Sequence, residues 1–420
     1  GFAVRAGDTV GASMTDPKVI PNLTPTRSEI YRDGHSMYLD TGEPLPFWAD
    51  AVIPIENVER LKDDQHSIDS SRHPAFIRIR SAVPPWNNVR ILGEDIVATE
   101  LVITAGQRLR PVDLGAIASS GNKHIAISRK PRIAVIPTGS ELIPIGEPVV
   151  AGEIIEFNSM VLAAQVDEWG AESTRFEIQP DRYDDIVQSV KQAAESHDLI
   201  LLIAGSSAGS EDYSEKVISS LGELLVHGVA VRPGHPVILG LVYSTGFKVK
   251  SKSAIPIIGV PGYPVSAALT AEIFVKPLIN QWLGRKRWIE STLQAKMVSK
   301  VTSPAGDDDY LRVVIGKIDG ELLAASLPRG AGKITSLSKA DGIVVIPRGS
   351  QGLQVGEQVN VNLLHANVDI DSTIFAVGSH DMTLDILKQF LDDHNRRLVS
   401  SNIGSLGGLI AVSKRHAHLA

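Results

Sequence analysis

The sequence predicts an α/β multidomain protein, with a central mostly parallel sheet flanked by small β domains and followed by the beginning of a further α/β domain. From residue 131 to about 284, apolar β-type runs alternate with stretches of helical spacing, the pattern of crossover connections in a sheet covered on both faces. On either side, short β-branched runs are separated by Gly- and Pro-containing turns about every eight to twelve residues. A chain of 420 residues is also too long for one core. The expected division is 1–128, 129–284, 285–365 and 372–420.

In the first region, 51–54, 75–79, 96–98 and 101–103 read as strands. Thr41-Gly42 is a turn, and 89–96 places Glu94 and Asp95 beside another, where solvated turn carboxylates are the plain alternative to a functional pair. Residues 110–118 read as a short helix with Asp113 in its first turn. In the central region 133–136 is a strand with the loop 138–141, 159–169 a helix and 172–178 a strand. Ile186, Val190, Ala193 and Ala194 mark a helix face before the strand at 199–203. Short β runs at 295–298, 310–315, 321–325, 342–346 and 358–361 suggest a small barrel or sandwich. After a linker at 365–371 come a strand at 373–377, a helix at 382–394, a strand at 397–400 and a helix after Ser405. Two β-α units are too few to close a sheet and bury a core, so this segment is expected to open a larger domain.

The net charge of -7 argues against nucleic acid as the main partner, which requires a basic face. The absence of cysteine excludes disulfides, thiolate metal sites and a cysteine nucleophile, and fits a cytoplasmic protein. No run of about 18 apolar residues and no signal peptide are seen, so no membrane association is expected. The first residue is Gly1 and not Met, and the native termini are expected to lie beyond this sequence.

The richest stretch for chemistry is 199–283. Three loops there, 204–213, 229–236 and 261–266, each follow an apolar β-type run and carry Gly, Pro and polar residues. A buried strand that ends in glycines and hydroxyls and turns into a helix aims free N–H groups at the loop's occupant, and the helix N-terminus favours negative charge. All three loops are expected to face one crevice at the carboxyl ends of the strands, a place suited to phosphate. Gly205-x3-Gly209 alone is weak evidence, since glycines after a strand more often make only a tight turn.

Several motifs, in order along 1–364, resemble those of the molybdopterin molybdenumtransferases, the family of MoeA and of the E domain of gephyrin. Gly1-Phe2-Ala3-Val4-Arg5 is similar to the family's Asp-Gly-Tyr/Phe-Ala-Val segment, Val89 to Ile96 to Val-Arg-x-x-Gly-Glu-Asp-Ile, and Pro137 to Leu142 to Pro-Thr-Gly-Asp-Glu-Leu. Ala204 to Tyr213 resembles Gly-Gly-Val-Ser-x-Gly-x-x-Asp-Tyr. Arg232 to Pro236 resembles Lys-Pro-Gly-Lys-Pro, and Pro261 to Ala267 resembles Pro-Gly-Asn-Pro-Val-Ser-Ala. Gly332 to Asp341 resembles the Ser-x-Ser motif of the last domain. Residues 372–420 look like the start of a periplasmic-binding-protein-like domain of the kind attached to LysR regulators. Ser379, Ser401, Asn402 and Ser405 stand there where anion-binding hydroxyls, or plain helix caps, would be. Ser140 stands in place of an Asp, Arg232 and His235 in place of lysines, and Tyr263 in place of an Asn. Arginine keeps the cation and grips phosphate bidentately, histidine is charged only part of the time, and Tyr263 offers a ring for a pterin.

The resemblance implies a MogA-like molybdopterin-binding central fold and the insertion of molybdate, or tungstate, into adenylylated molybdopterin with release of AMP. It implies Gly205, Ser207, Gly209 and Arg232, with His235, around the substrate phosphates. Asp181 or Asp212 would hold Mg2+ or position water, although Asp181 reads equally as the cap of the helix that follows. Glu141 is a candidate acid or base, and Pro261, Tyr263 and Pro264 would approach the pterin. Thr41 and Asp95, and Arg312 and Ser338, would reach the crevice from the flanking domains or a partner subunit, implying a homodimer. A molybdopterin adenylyltransferase is a further expected partner. The rival readings are such an adenylyltransferase itself, and a non-catalytic sensor or scaffold for molybdate or pterin.

Overall fold

Leu199–Ala204 is a run of six buried apolar residues, because a strand covered on both faces has no solvent side to make polar. It is the core strand of the larger of two units in the computed structural model, which describes residues 1–23, 34–204, 213–244, 253–285, 291–365 and 368–420. The units are Gly1–Ile125 and Ala126–Ala420.

In the second unit Glu172–Arg175, Arg132–Pro137, Leu199–Ala204 and Ser253–Pro261 lie side by side and parallel. Ile238–Ser244 and Gly222–His227 continue the sheet antiparallel, so the mostly parallel sheet has an antiparallel edge. Odd positions of the core strands, such as Ile133, Val135, Leu199 and Leu201, pack against the helix Asn158–Glu168 and the helical run that starts at Pro264. Even positions, such as Ala134, Ile136, Ile200 and Leu202, pack against Tyr183–Ala194 and Ser214–Leu221. The face Ile186, Val190, Ala193 and Ala194 is buried as its spacing predicts. Each fully buried large side chain in these two layers contributes about 1.5–3 kcal/mol.

The second β region closes into a five-stranded barrel. Asp308–Ile318 pairs with both Glu321–Ser326 and Gly342–Ile346, and Thr292–Met297 and Gln358–Leu363 complete the ring. Leu311, Val313 and Ile315 fill its interior, while Val314 points outward.

That outward face explains the last segment. Thr373–Gly378 and Arg397–Asn402 form a two-stranded parallel sheet with the helices Met382–Asp392 and Ser405–Ser413. A segment expected to lack a core instead borrows one, since Phe375, Val377 and Val399 pack against Val314, Leu323 and Ala325 of the barrel. A Cβ on Gly316 would lie 2.6 Å from Phe375, so only glycine admits the ring. Ser401 Oγ donates to Ser326 O at 2.7 Å, and Arg397 is ion-paired with Asp341.

The first unit holds a six-stranded sheet in the order Ala51–Ile53, Phe2–Val4, Ser36–Tyr38, Lys18–Leu23, Phe76–Ile79, Val58–Leu61. Residues 96–98 and 101–103, expected as strands, are irregular and outward-facing, with Leu101 74% exposed. β-Branched residues supply propensity but need a neighbouring strand to bond, and none among the described residues pairs with them. The helix Pro111–Ser119 forms as expected. Asp113 accepts the Arg110 backbone N–H at 2.7 Å and its guanidinium at 2.9 Å.

Candidate functional site

Three adjacent strands of the central sheet end level with one another, with Ile203 opposite Pro137 and Ala204 opposite Pro261. The loop 138–141 and the turn 262–263 therefore leave the sheet on either side of the strand end at Ala204, at the position where open α/β sheets bind ligands. Gly205, Ser207, Gly209 and Asp212, on the middle loop, lie outside the described residues.

The first loop is pinned at its base by Thr138, whose N–H and hydroxyl both donate to Ile203 O, at 2.8 and 2.9 Å. Gly139 follows at φ +153°, with a hypothetical Cβ 2.8 Å from Leu142. Ser140 and Asp181 then bond reciprocally. The Ser140 N–H donates to Asp181 Oδ2 at 2.9 Å, and Ser140 Oγ accepts the Asp181 N–H at 3.0 Å. This corrects the capping alternative for Asp181, because the helix Tyr183–Ala194 has Arg182 at its N-cap and no side-chain cap bond. Ser140→Ala should lower stability by about 1 kcal/mol in urea unfolding, the value of one such bond. Glu141 is half-buried beside Gly139.

The loop after Ser253–Pro261 is held by a residue the sequence reading missed. Asn158 Nδ2 donates to Gly262 O at 2.6 Å, and its Oδ1 is buried with no partner among the described residues. Glu156, also missed and 4% exposed, accepts from Ser159 N and Oγ at 2.7 and 2.6 Å and so fixes the start of the same helix. An Asn and an acid at a helix start were the available signal. Tyr263 is exposed, Pro264 opens the next helix, and the Val265 N–H donates to Ala331 O at 3.0 Å. That bond brings the barrel loop 329–333 alongside, with the space a Gly332 Cβ would take 3.9 Å from the Tyr263 ring.

The loop 229–236 departs from expectation, for it follows the antiparallel edge strand Gly222–His227 and not one of the parallel strands. Val231–Arg232 is instead a short strand paired with Asp308–Asp309 of the barrel. The loop still comes to the neighbouring helix, a Cβ at Gly234 being 3.5 Å from Thr270 Oγ1. His235 Nδ1 lies 3.6 Å from Asp307 Oδ1. Arg232 is exposed and has no ion-pair partner among the described residues. Arg329 stands nearby, paired with Asp309, and burial together with the charge of Arg232 holds its pKa below the usual arginine value.

Arg312 is 2% exposed, so it does not offer its guanidinium to a ligand from the position expected of it. Nη2 donates to Pro328 O at 2.9 Å, Nε has no partner among the described residues, and burial lowers its pKa. It fixes the backbone just before Arg329. Ser338 ends the short helix Ile334–Ser338, donates to Thr335 O at 3.1 Å, and faces a cavity shared with the last segment. In the first unit, Thr41 lies in an exposed turn before Gly42, and the exposed Asp95 is ion-paired with Arg90. Among the described residues no group of three or more His, Asp and Glu side chains could enclose a metal, and no helix is long and apolar enough to cross a membrane.

Family models match the chain in three successive regions. They are the MoeA N-terminal region (domain I and II) over 1–121, a "Probable molybdopterin binding domain" over 134–281 and the MoeA C-terminal region (domain IV) over 294–364. A relative from Methanocaldococcus jannaschii, named "Putative molybdopterin biosynthesis protein", is 30% identical over 372 residues, which is 87% of this chain and 84% of the relative. The chain belongs to the MoeA family. A Bacillus subtilis relative, named molybdopterin molybdenumtransferase, is 28% identical over 87% of this chain and 82% of its own. The crystal structure of a molybdopterin biosynthesis MoeA protein from Pyrococcus horikosii superimposes with a TM-score of 0.65 at 31% identity, covering 87% of this chain and 86% of that one. The MoeA regions account for the N-terminal sheet, the central sheet and the barrel, and they stop at residue 364. The expected periplasmic-binding-protein-like domain finds no support in these matches. Ser401, read there as an anion-binding hydroxyl or a plain helix cap, is 1% exposed and bonded to the barrel, while Ser379 and Ser405 bond each other at 2.7 Å.

Proposed function

We propose that this chain cleaves the phosphoanhydride of adenylylated molybdopterin and places molybdate, or tungstate, on the dithiolene sulfurs, releasing AMP. The observation that carries the reading is the similarity to molybdopterin molybdenumtransferases across all three regions. The row of three parallel strand ends supports it. Backbone N–H groups of Gly205, Ser207 and Gly209, with Arg232 and His235, would neutralise the phosphates. Tyr263, between Pro261 and Pro264, offers an exposed ring to the pterin. Glu141 is the candidate for proton transfer, and Thr41 and Asp95 would contribute from the N-terminal domain.

Asp181 has one carboxylate oxygen bonded to Ser140 and the other without a bond among the described residues. With Asp212 it suits Mg2+, which is commonly held by one or two carboxylates plus substrate phosphates. Bound there, Mg2+ would neutralise charge on the phosphoanhydride. Asp181 would otherwise orient the attacking water. A homodimer and a molybdopterin adenylyltransferase that supplies the substrate complete the reading.

The test is AMP release from adenylylated molybdopterin, with molybdate and tungstate in separate reactions. Release that depends on one oxyanion is expected. Tight substrate binding without AMP in either reaction would replace this reading with the sensor or scaffold. Pyrophosphate made from ATP and molybdopterin would replace it with the adenylyltransferase.

A further inference from the structure

A cavity of about 210 Å3 lies at the seam between the barrel and the last segment, lined by Val314, Ser338, Lys339, Lys388, Arg397 and Ser400 together with Leu398 and Val399. Its cations come from three different elements. Lys339 follows the helix Ile334–Ser338, Lys388 lies on Met382–Asp392, and Arg397 opens Arg397–Asn402.

Two carboxylates answer these three charges. Asp341 is 4% exposed, pairs with Arg397 and accepts the Ile315 N–H at 2.7 Å. Asp385 serves both lysines, Lys339 at 3.3 Å and Lys388 at 3.1 Å. Those contacts are longer than the roughly 2.7–2.9 Å of a charge-assisted bond, and an ammonium carries three donors. Both lysines therefore have donors to give, and one positive charge is left over.

Neutral donors line the same space. Ser400 Oγ has no hydrogen-bond partner among the described residues. The N–H groups of Arg397 and Ile403 point to the paired strand, bonding Ser372 O and Gly378 O. By the alternation of the ladder, the intervening Leu398 and Ser400 turn theirs to the open edge. A purely mechanical clamp would account for Arg397–Asp341 and Lys339–Asp385. It would not account for the donors that Lys388 keeps beyond its pair with Asp385, for the free hydroxyl, or for the space between them.

We propose that this cavity binds a small tetrahedral oxyanion, held by Lys339, Lys388, Arg397 and Ser400. Sulfate, hydrogen phosphate, molybdate and tungstate share this chemistry. Because its ligands come from the barrel region and from one helix and one strand of the last segment, the anion ties the segment to the barrel. The proposal is independent of the catalytic reading.

Equilibrium dialysis of the full chain at low ionic strength, against each of the four sodium salts separately, provides the test. At least one salt should bind, with Kd weakened about tenfold or more by Lys388→Met and kept near the parent value by Lys388→Arg, since the bonds lost are charge-assisted. The salt bound most tightly identifies the source. Molybdate held elsewhere on the chain would not respond to Lys388. Ser400→Ala, which removes only a hydroxyl, gives the same comparison if Lys388→Met does not fold. Absence of binding by all four salts, or binding unchanged in Lys388→Met and Ser400→Ala, overturns the proposal.

Discussion

Arg232→Ala is expected to slow AMP release by about a hundredfold or more, the usual loss when one preorganised donor to a reacting oxyanion is removed. The side chain is exposed and free of ion pairs among the described residues, yet its backbone is fixed by the ladder to Asp308–Asp309. Its neighbour Arg329 is committed to Asp309 and cannot substitute without breaking that pair. Arg232→Lys should recover part of the rate, because it restores charge without the bidentate fork. The thermal midpoint should stay at the parent value in both variants, which separates a lost contact from a lost fold. AMP release within twofold of the parent in Arg232→Ala would remove this guanidinium from the site.

Phe375→Ala should destabilise the last segment by about 3–5 kcal/mol, the cost of truncating a fully buried phenylalanine. The ring is 0% exposed and rests on the outward face of the barrel over Gly316. From the other side, Gly316→Val forces a side chain into the space that the ring holds and should cost about 1–3 kcal/mol. The two substitutions should be strongly non-additive, since removing the ring leaves room for the valine. Chemical denaturation of the four chains of the cycle, with limited proteolysis following the segment, measures both effects. Additive losses would mean that the close approach does not govern how the segment is attached.

Much of this architecture was legible locally. The short continuous apolar runs at 133–136 and 199–203, bounded by turn residues, read as strands buried on both faces, and Ile186, Val190, Ala193 and Ala194 read as one stripe of a helix. The barrel strands were legible too, but a barrel was not separable from a sandwich, because closure depends on Gly342–Ile346 bonding a strand distant in sequence. Phe2–Val4 is too short to carry a period, and its identity as a strand lies in its neighbours Ser36–Tyr38 and Ala51–Ile53. At the site, the strand-end loops were visible as glycines and prolines after apolar runs. That Asp181 would meet Ser140, or that Arg312 would be buried against Pro328 O, depends on contacts between distant parts of the chain. A charged residue in a β pattern looks the same whether it ends in solvent or under a loop.

The two-residue strand Val231–Arg232 has a consequence for how the molecule is assembled. Its sequence belongs to the central region, but its hydrogen-bonded neighbour belongs to the barrel, and the Asp308 N–H also donates to Ala230 O at 2.9 Å. A central region folded by itself would contain this arginine without its address. The ladder that aims this guanidinium exists only when Asp308–Asp309 of the barrel is in place, so loosening that barrel edge would release the arginine even with the central sheet intact.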